Sequence, residues 1–272
     1  MKVLKRLISF STYLLICLSL NAEETTTSKV NKILQTIPVK ASQGVAVDAH
    51  YFYAISNTSI EKYEKKSLKK LAIWKASGEK FKHFKHMNSG TVIDGELYCA
   101  HSRFPIDRND CTVEIWNVSG ERLDHEKTIP LERKHGSLTW IDKGPKGFWW
   151  MCYAVYGKNN KNTKLVKYEF KGDKFLEIEN WVFPSEVISA WGKMSCSGGS
   201  WGADGKLYTT GHDHAQAHVL KLDENKNFQF VRTEKNLGFY GQAIAWDRSS
   251  KKPILWGIVK NKSISRTWLP EK

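Results

Sequence analysis

The chain has 272 residues, with 42 Lys and Arg against 28 Asp and Glu and a formal net charge of +14. Apolar residues make up 41% and charged residues 26%, a balance that excludes a collagen-like, wholly disordered or multi-span membrane chain. The aromatic load of 11 Trp, 10 Tyr and 12 Phe, beside only 7 Pro and 4 Met, favours pleated, half-buried strands over helices.

Residues 1–22 read as a secretory signal. Lys2, Lys5 and Arg6 form a cationic start, Leu7 to Leu20 is mostly apolar, and the segment ends at the small residue Ala22. The apolar run is short for a membrane span, and a polar stretch follows it. Export is therefore expected, to the periplasm or the medium, with 23–31 as a flexible linker and 32–272 as one domain. No transmembrane segment is expected once the signal is removed. The lysines are scattered singly or in pairs with no recognisable nucleic-acid motif, so they read as a solvated exterior and nucleic acid is not expected as a partner. Cys99, Cys111, Cys152 and Cys196 leave two readings open. They are two disulfides, with Cys99–Cys111 flanking one loop, or buried thiols.

Next along the chain, one phrase recurs five times: Gly or Ser, a short apolar run, a turn, then an aromatic-rich apolar run. It starts near Gly44, Gly90, Gly136, Gly199 and Gly241. Most of these spacings match the ~40–50 residues of a four-stranded propeller blade. Each of the first four copies continues with two more strand-like runs, separated by Gly, Asp or Asn turns as hairpins require. The fifth copy ends one strand short at 263–269, while the run at 32–39 has no unit of its own. Joining the two predicts an all-β fold. It is a five-bladed β-propeller of four-stranded antiparallel sheets, closed by the N-terminal strand completing the last blade.

Three of these phrases are Gln43-Gly-Val-Ala-Val-Asp48, Gly198-Gly-Ser-Trp-Gly-Ala-Asp-Gly205-Lys-Leu-Tyr208 and Gly241-Gln-Ala-Ile-Ala-Trp-Asp247. They resemble blade motifs of exported bacterial propellers, of the lactonase and muconate cycloisomerase-like kind or the five-bladed glutaminyl cyclases. The resemblance lies in blade-forming residues across nearly the whole mature chain. It implies the propeller more than any activity; as an enzyme the chain is expected to be a hydrolase, lyase or lactone-handling, cycloisomerase-like enzyme acting on a small polar or carboxylated molecule.

Blade topology then predicts a site. Loops entering the first strand of a blade and loops leaving the second emerge on one face. The entering loops supply Gln43, His86 with Asn88, His135, Ser195 to Ser197 and Gln242. The leaving loops supply Asn57, His101 with Arg103, Tyr153 with Tyr156, and the turn holding His212, Asp213 and His214. His101, His135 and His212 are the expected acid–base residues, with Arg103, Gln43, Gln242 and Tyr153 binding substrate. Alternatively, His101, His135, His212 and His214 are expected to hold a divalent metal such as zinc or calcium. Asp213 is expected to orient a histidine rather than to join the site itself. His50, His83, His86, His125 and His218 read as surface or strand positions. Ser200 fits Gly-x-Ser-x-Gly by letter but starts an inner strand, outside the strand–turn–helix setting of a nucleophile. The expected ligand is a small polar molecule or a glycan. The competing expectation is a non-catalytic propeller that binds protein or glycan through the same loops.

Overall fold

In a computed structural model of the chain, residues 30–270 are described. The signal-like residues 1–22 lie outside them. The described residues form five four-stranded antiparallel sheets. The first blade holds β2 (Gly44–Val47), β3 (Tyr51–Ser56), β4 (Ser59–Glu64) and β5 (Lys70–Lys75). The second holds β6 (His86–Ile93), β7 (Glu96–Arg103), β8 (Asp107–Asn117) and β9 (Asp124–Pro130). The third runs through β10 (Ser137–Lys143), β11 (Trp149–Ala154), β12 (Lys164–Lys171) and β13 (Lys174–Val182). The fourth runs through β14 (Gly198–Trp201), β15 (Leu207–Thr210), β16 (Ala217–Leu222) and β17 (Phe228–Glu234).

The last sheet carries the ring closure. Its order is β1 (Lys32–Ile37), β20 (Ser263–Trp268), β19 (Ile254–Val259) and β18 (Ile244–Trp246). β1 lies antiparallel to β20, with Lys32 opposite Trp268 and Ile37 opposite Ile264. Asn31 ties the entry of this strand to the fourth blade by donating to Glu234 Oε2 and to the Lys235 carbonyl, both at 2.8 Å. The innermost strands β2, β6, β10, β14 and β18 each touch the next, and β18 touches β2. The expected closed five-bladed propeller is the observed fold.

Burial explains why the inner strands show little sequence alternation. Every residue of β2 and β14 is buried, because blades pack against blades on both faces and the channel covers the edge. β13, at the rim, alternates exposed with partly buried positions, as a strand with one solvated face must. The tryptophans fill the seams between blades. Trp140, Trp150, Trp191 and Trp201 share one buried cluster with Leu165, Leu207 and Phe228. Gly199 is required there, since a Cβ would lie 2.3 Å from the Trp140 ring. The recurring Asp of the blade phrase caps the first hairpin. Asp48 Oδ1 accepts from His50 N and Tyr51 N at 2.7 Å, and Asp247 Oδ1 accepts from Ser249 N at 3.2 Å.

Two features differ from the regular pattern. The longest repeat spacing, between the third and fourth blades, is filled by α1 (Ser185–Trp191) and a following 3₁₀ turn. α1 buries Val187 and Trp191 against the seam, and aromatic composition alone gave no sign of it. The four cysteines are free and buried, which settles the open choice for thiols. The Cys99 thiol contacts the Asn88 carbonyl, while that of Cys111 contacts the Gly136 carbonyl.

Candidate functional site at the channel mouth

The loops that enter first strands and leave second strands do converge, and they enclose a cavity of about 110 Å³. Every blade contributes to its lining. Gln43 comes from the first blade, His86, Asn88 and Phe104 from the second, and Thr139 and Tyr156 from the third. Ser197 and His212 come from the fourth, Gln242 and Lys260 from the fifth.

The polar groups are held in defined orientations. Gln43 Nε2 donates to Asn57 Oδ1 at 2.6 Å, and its own Oε1 is buried with no partner among the described residues. Asn88 Nδ2 donates to the Leu138 carbonyl at 2.7 Å, which joins the second blade to the third. Gln242 sits at φ 80°, and its carbonyl accepts from Thr210 Oγ1 at 2.6 Å. The strained backbone there is part of what turns the chain into the mouth. His212 Nδ1 lies 2.6 Å from Asp213 Oδ1. A carboxylate oxygen only accepts, so Nδ1 is the donor in this contact. Burial, reinforced by the Lys260 cation, lowers the His86 pKa to about 4, so this imidazole is neutral at ordinary pH. At the rim, Phe104 lies 5.2 Å from both His86 and Tyr156, ring to ring. The Arg108 guanidinium stacks over Phe104 and Tyr156 at 5.3 and 5.1 Å.

Of the expected site residues, Gln43, Gln242 and His212 line the mouth, and Asp213 is in contact with His212. The others are elsewhere, for reasons of strand geometry. His101 is 1% exposed and faces the seam between the first two blades, because side chains in a blade point at neighbouring blades rather than along the channel. Its Nε2 accepts from Lys85 N at 3.1 Å, and its Nδ1 lies 2.8 Å from Thr112 Oγ1. His135 turns outward to Glu177 on β13, at 2.9 Å. Tyr153 is buried beside it and bonds Tyr168 through the two hydroxyls at 2.8 Å. Arg103 is engaged by Asp110 at 3.1 Å. His214 is exposed beyond the turn.

The metal reading does not fit these positions. Among the described residues no three His, Cys, Asp or Glu side chains are placed to hold a metal ion. At the mouth itself, the Lys260 cation next to His86 opposes a second positive charge. Ser200 is structural, donating to Asp142 Oδ2 at 3.0 Å and accepting from Trp246 N at 3.2 Å.

Three of the histidines read as surface or strand positions line the cavity or make buried polar contacts instead. His86 lines the cavity. His83 and His125 reach the fully buried Glu114, at 3.3 and 2.8 Å from its two oxygens. His86 stands two residues before Asn88 in a segment entering an inner strand, and that position marks it as a mouth residue. Lys260 is legible on the same logic, as the turn after the second strand of the fifth blade.

No helix among the described residues is long and apolar enough to cross a membrane. No protein-family model matches the chain, and none of the curated proteins matches it in sequence. Its architecture is similar to that of an oxidoreductase of glucose dehydrogenase type from Thermus thermophilus, with TM-score 0.51 and 10% identity over 87% of this chain and 100% of that one. It is also similar to the WD40 domain of Toxoplasma gondii coronin, with TM-score 0.47 and 10% identity over 89% of this chain and 87% of that one. A structure described as a gluconolactonase gives TM-score 0.48 and 11% identity over 80% and 70%. At such identities the likeness extends to the propeller fold alone.

Proposed function

We propose that the channel mouth binds a small polar or carboxylated molecule, and that the protein is an exported enzyme of hydrolase, lyase or lactone-handling type. The observation that carries this reading is the convergence of His86, His212, Gln43, Gln242 and Lys260 from four blades on one cavity. Packing alone does not call for two imidazoles, two amides and a cation in the same small space.

The cavity has room for about three or four waters, so it suits the reacting end of a ligand whose remainder lies at the rim. Lys260 supplies the charge that attracts a carboxylate or a developing oxyanion. His212 has Nε2 available as a base, and Asp213 stabilises the imidazolium once a proton is taken. In lactone hydrolysis, water would add to the carbonyl carbon as His212 takes its proton. The ring C–O bond then breaks, and the proton passes to the departing alkoxide. Neutral His86 serves as a hydrogen-bonding wall rather than as a second cation.

A panel of lactones and small esters, followed by proton release, tests this. His212→Asn is expected to lower kcat by about 10²-fold or more, and Lys260→Ala is expected to raise KM. Turnover in both variants equal to that of the parent protein would overturn the assignment. Phe104, Tyr156 and Arg108 at the rim support a second reading, a non-catalytic site for the end of a glycan. Under it, binding would survive His212→Asn and be lost in Tyr156→Ala.

A further inference from the structure

The opposite end of the propeller carries a cleft of about 840 Å³, walled by the first hairpins of the third, fourth and fifth blades and by Leu269 and Pro270. That volume lies within the range of small-molecule sites, and the cleft is much larger than the mouth cavity. We infer that this cleft binds an organic anion with an apolar ring or chain body, at a site separate from the channel mouth.

Unmet hydrogen-bond donors are the first observation. Trp201 and Trp246 line the cleft and are 3% and 7% exposed. Neither indole N–H has a partner among the described residues. The indoles of Trp116, Trp150 and Trp191, which do not line the cleft, are also unpartnered among the described residues, so these two count through their place at the cleft, where a bound oxygen acceptor would satisfy them.

Charge points the same way. The acceptors that line the cleft are already engaged. Asp247 accepts from Lys65 at 2.8 Å, and Asp204 accepts from Lys206 at 2.9 Å and from the Tyr208 hydroxyl at 3.1 Å. Arg248 is committed to Asp142 at 2.6 Å. Lys251 and Lys252, also in the lining, have no carboxylate partner among the described residues. Donors and cations therefore remain after internal pairing, and an anion complements them.

The walls fix the rest of the ligand. Pro145, Ala203, Pro253 and the largely buried Leu269 also line the cleft and give it apolar surface beside its charged groups. An inorganic anion would leave that surface wet, whereas an aryl or acyl carboxylate, sulfonate or phosphate ester would cover it.

Naphthalene-2-sulfonate is a suitable probe, titrated into ¹⁵N-labelled protein while the indole N–H resonances are followed by NMR. The Trp201 and Trp246 signals are expected to shift saturably, with amide shifts confined to the hairpins at 144–148, 202–206 and 247–253. Lys251→Ala with Lys252→Ala is expected to weaken binding about tenfold at low salt, and these exposed positions do not threaten the fold. Neutral 2-naphthylmethanol is expected to bind much more weakly. Equal binding of the neutral probe, equal affinity in the double variant, or shifts that fall at the channel mouth would each overturn the inference.

Discussion

Arg248, after the inner strand of the fifth blade, donates through Nη2 to Asp142 Oδ2 on the third blade at 2.6 Å, spanning the fourth blade between them. The same carboxylate oxygen accepts from Ser200 Oγ at 3.0 Å and Trp201 N at 2.8 Å. Arg248 Nη1 also reaches Thr91 Oγ1 of the second blade at 3.3 Å. Asp142 thus joins three blades, and Arg248 extends the link to a fourth, at the end of the channel. Asp142→Ala would leave the Ser200 hydroxyl and the Trp201 N–H without their acceptor and release Arg248, whose side chain is 39% exposed, and is expected to cost on the order of 2–3 kcal/mol, mostly from the two buried donors. Urea unfolding measures this. A loss below ~0.5 kcal/mol would show that the ring does not depend on this link.

The buried histidines make the fold sensitive to acid. His101, His86 and His218 have pKa values lowered to about 4, with burial the largest cause in each. For His101 the geometry agrees, since the Lys85 N–H already occupies Nε2 and protonation would break that bond. Unfolded histidine titrates near ~6.5, so the unfolded chain takes up protons first as pH falls. Stability from these groups is full above about 6.5 and is lost progressively down to about 4. Glu114 continues the trend. Burial opposes its ionisation, but hydrogen bonds involving His125, Thr112 and Thr128 outweigh this and hold its pKa below the usual carboxylate range. Its contribution is present above the unfolded carboxylate pKa and is lost as pH falls through the folded value. Urea midpoints are expected to be level from pH 8 to 7 and to drop steeply between about 6.5 and 4. His101→Gln should flatten part of that drop.

Gly241 couples the fold to the mouth. It sits at φ 58°, and a Cβ there would lie 1.6 Å from the His212 carbonyl oxygen. Gly241→Ala must therefore push back the turn that carries His212 and Asp213, as well as straining its own backbone. A cost of ~2–4 kcal/mol is expected, together with a loss of ligand affinity at the mouth. If His212 instead shows an unchanged ¹⁵N imidazole spectrum in this variant, the turn is not braced as the contact implies.

The architecture was legible because blade formation repeats. Gly, a short apolar run and a capping Asp recur often enough to be counted, and the missing strand of the fifth copy had one candidate partner. The site was only half legible. Gln43, Gln242 and His212 follow from loop position, since loops have few alternative directions at a channel mouth. His101 and Tyr153 failed because each stands inside a strand, where the facing blade decides what a side chain meets. His135 and Arg103 failed for another reason. They find carboxylates, Glu177 from the outer strand of the third blade and Asp110 from the next strand of the same hairpin. The Glu114 cluster shows the same limit, as His83 reaches it from the connection between two blades and His125 from an adjacent strand.

Ring closure makes the sharpest prediction, because β1 is joined to the last blade by hydrogen bonds and side chains rather than by sequence proximity. Ile37 is 1% exposed and packs in one cluster with Trp256, Ile258 and Ile264. Leu34, three residues earlier on the same strand, is 42% exposed and stands at a shift in the register with β20. If β1 seals the ring, Ile37→Asp buries a charge without a partner and should cost at least ~3 kcal/mol. Leu34→Asp should change stability by no more than ~0.5 kcal/mol. A strand lying loosely on the surface would give two small effects of similar size. The ratio of the two losses, read from urea midpoints at one pH, therefore tests closure independently of any ligand.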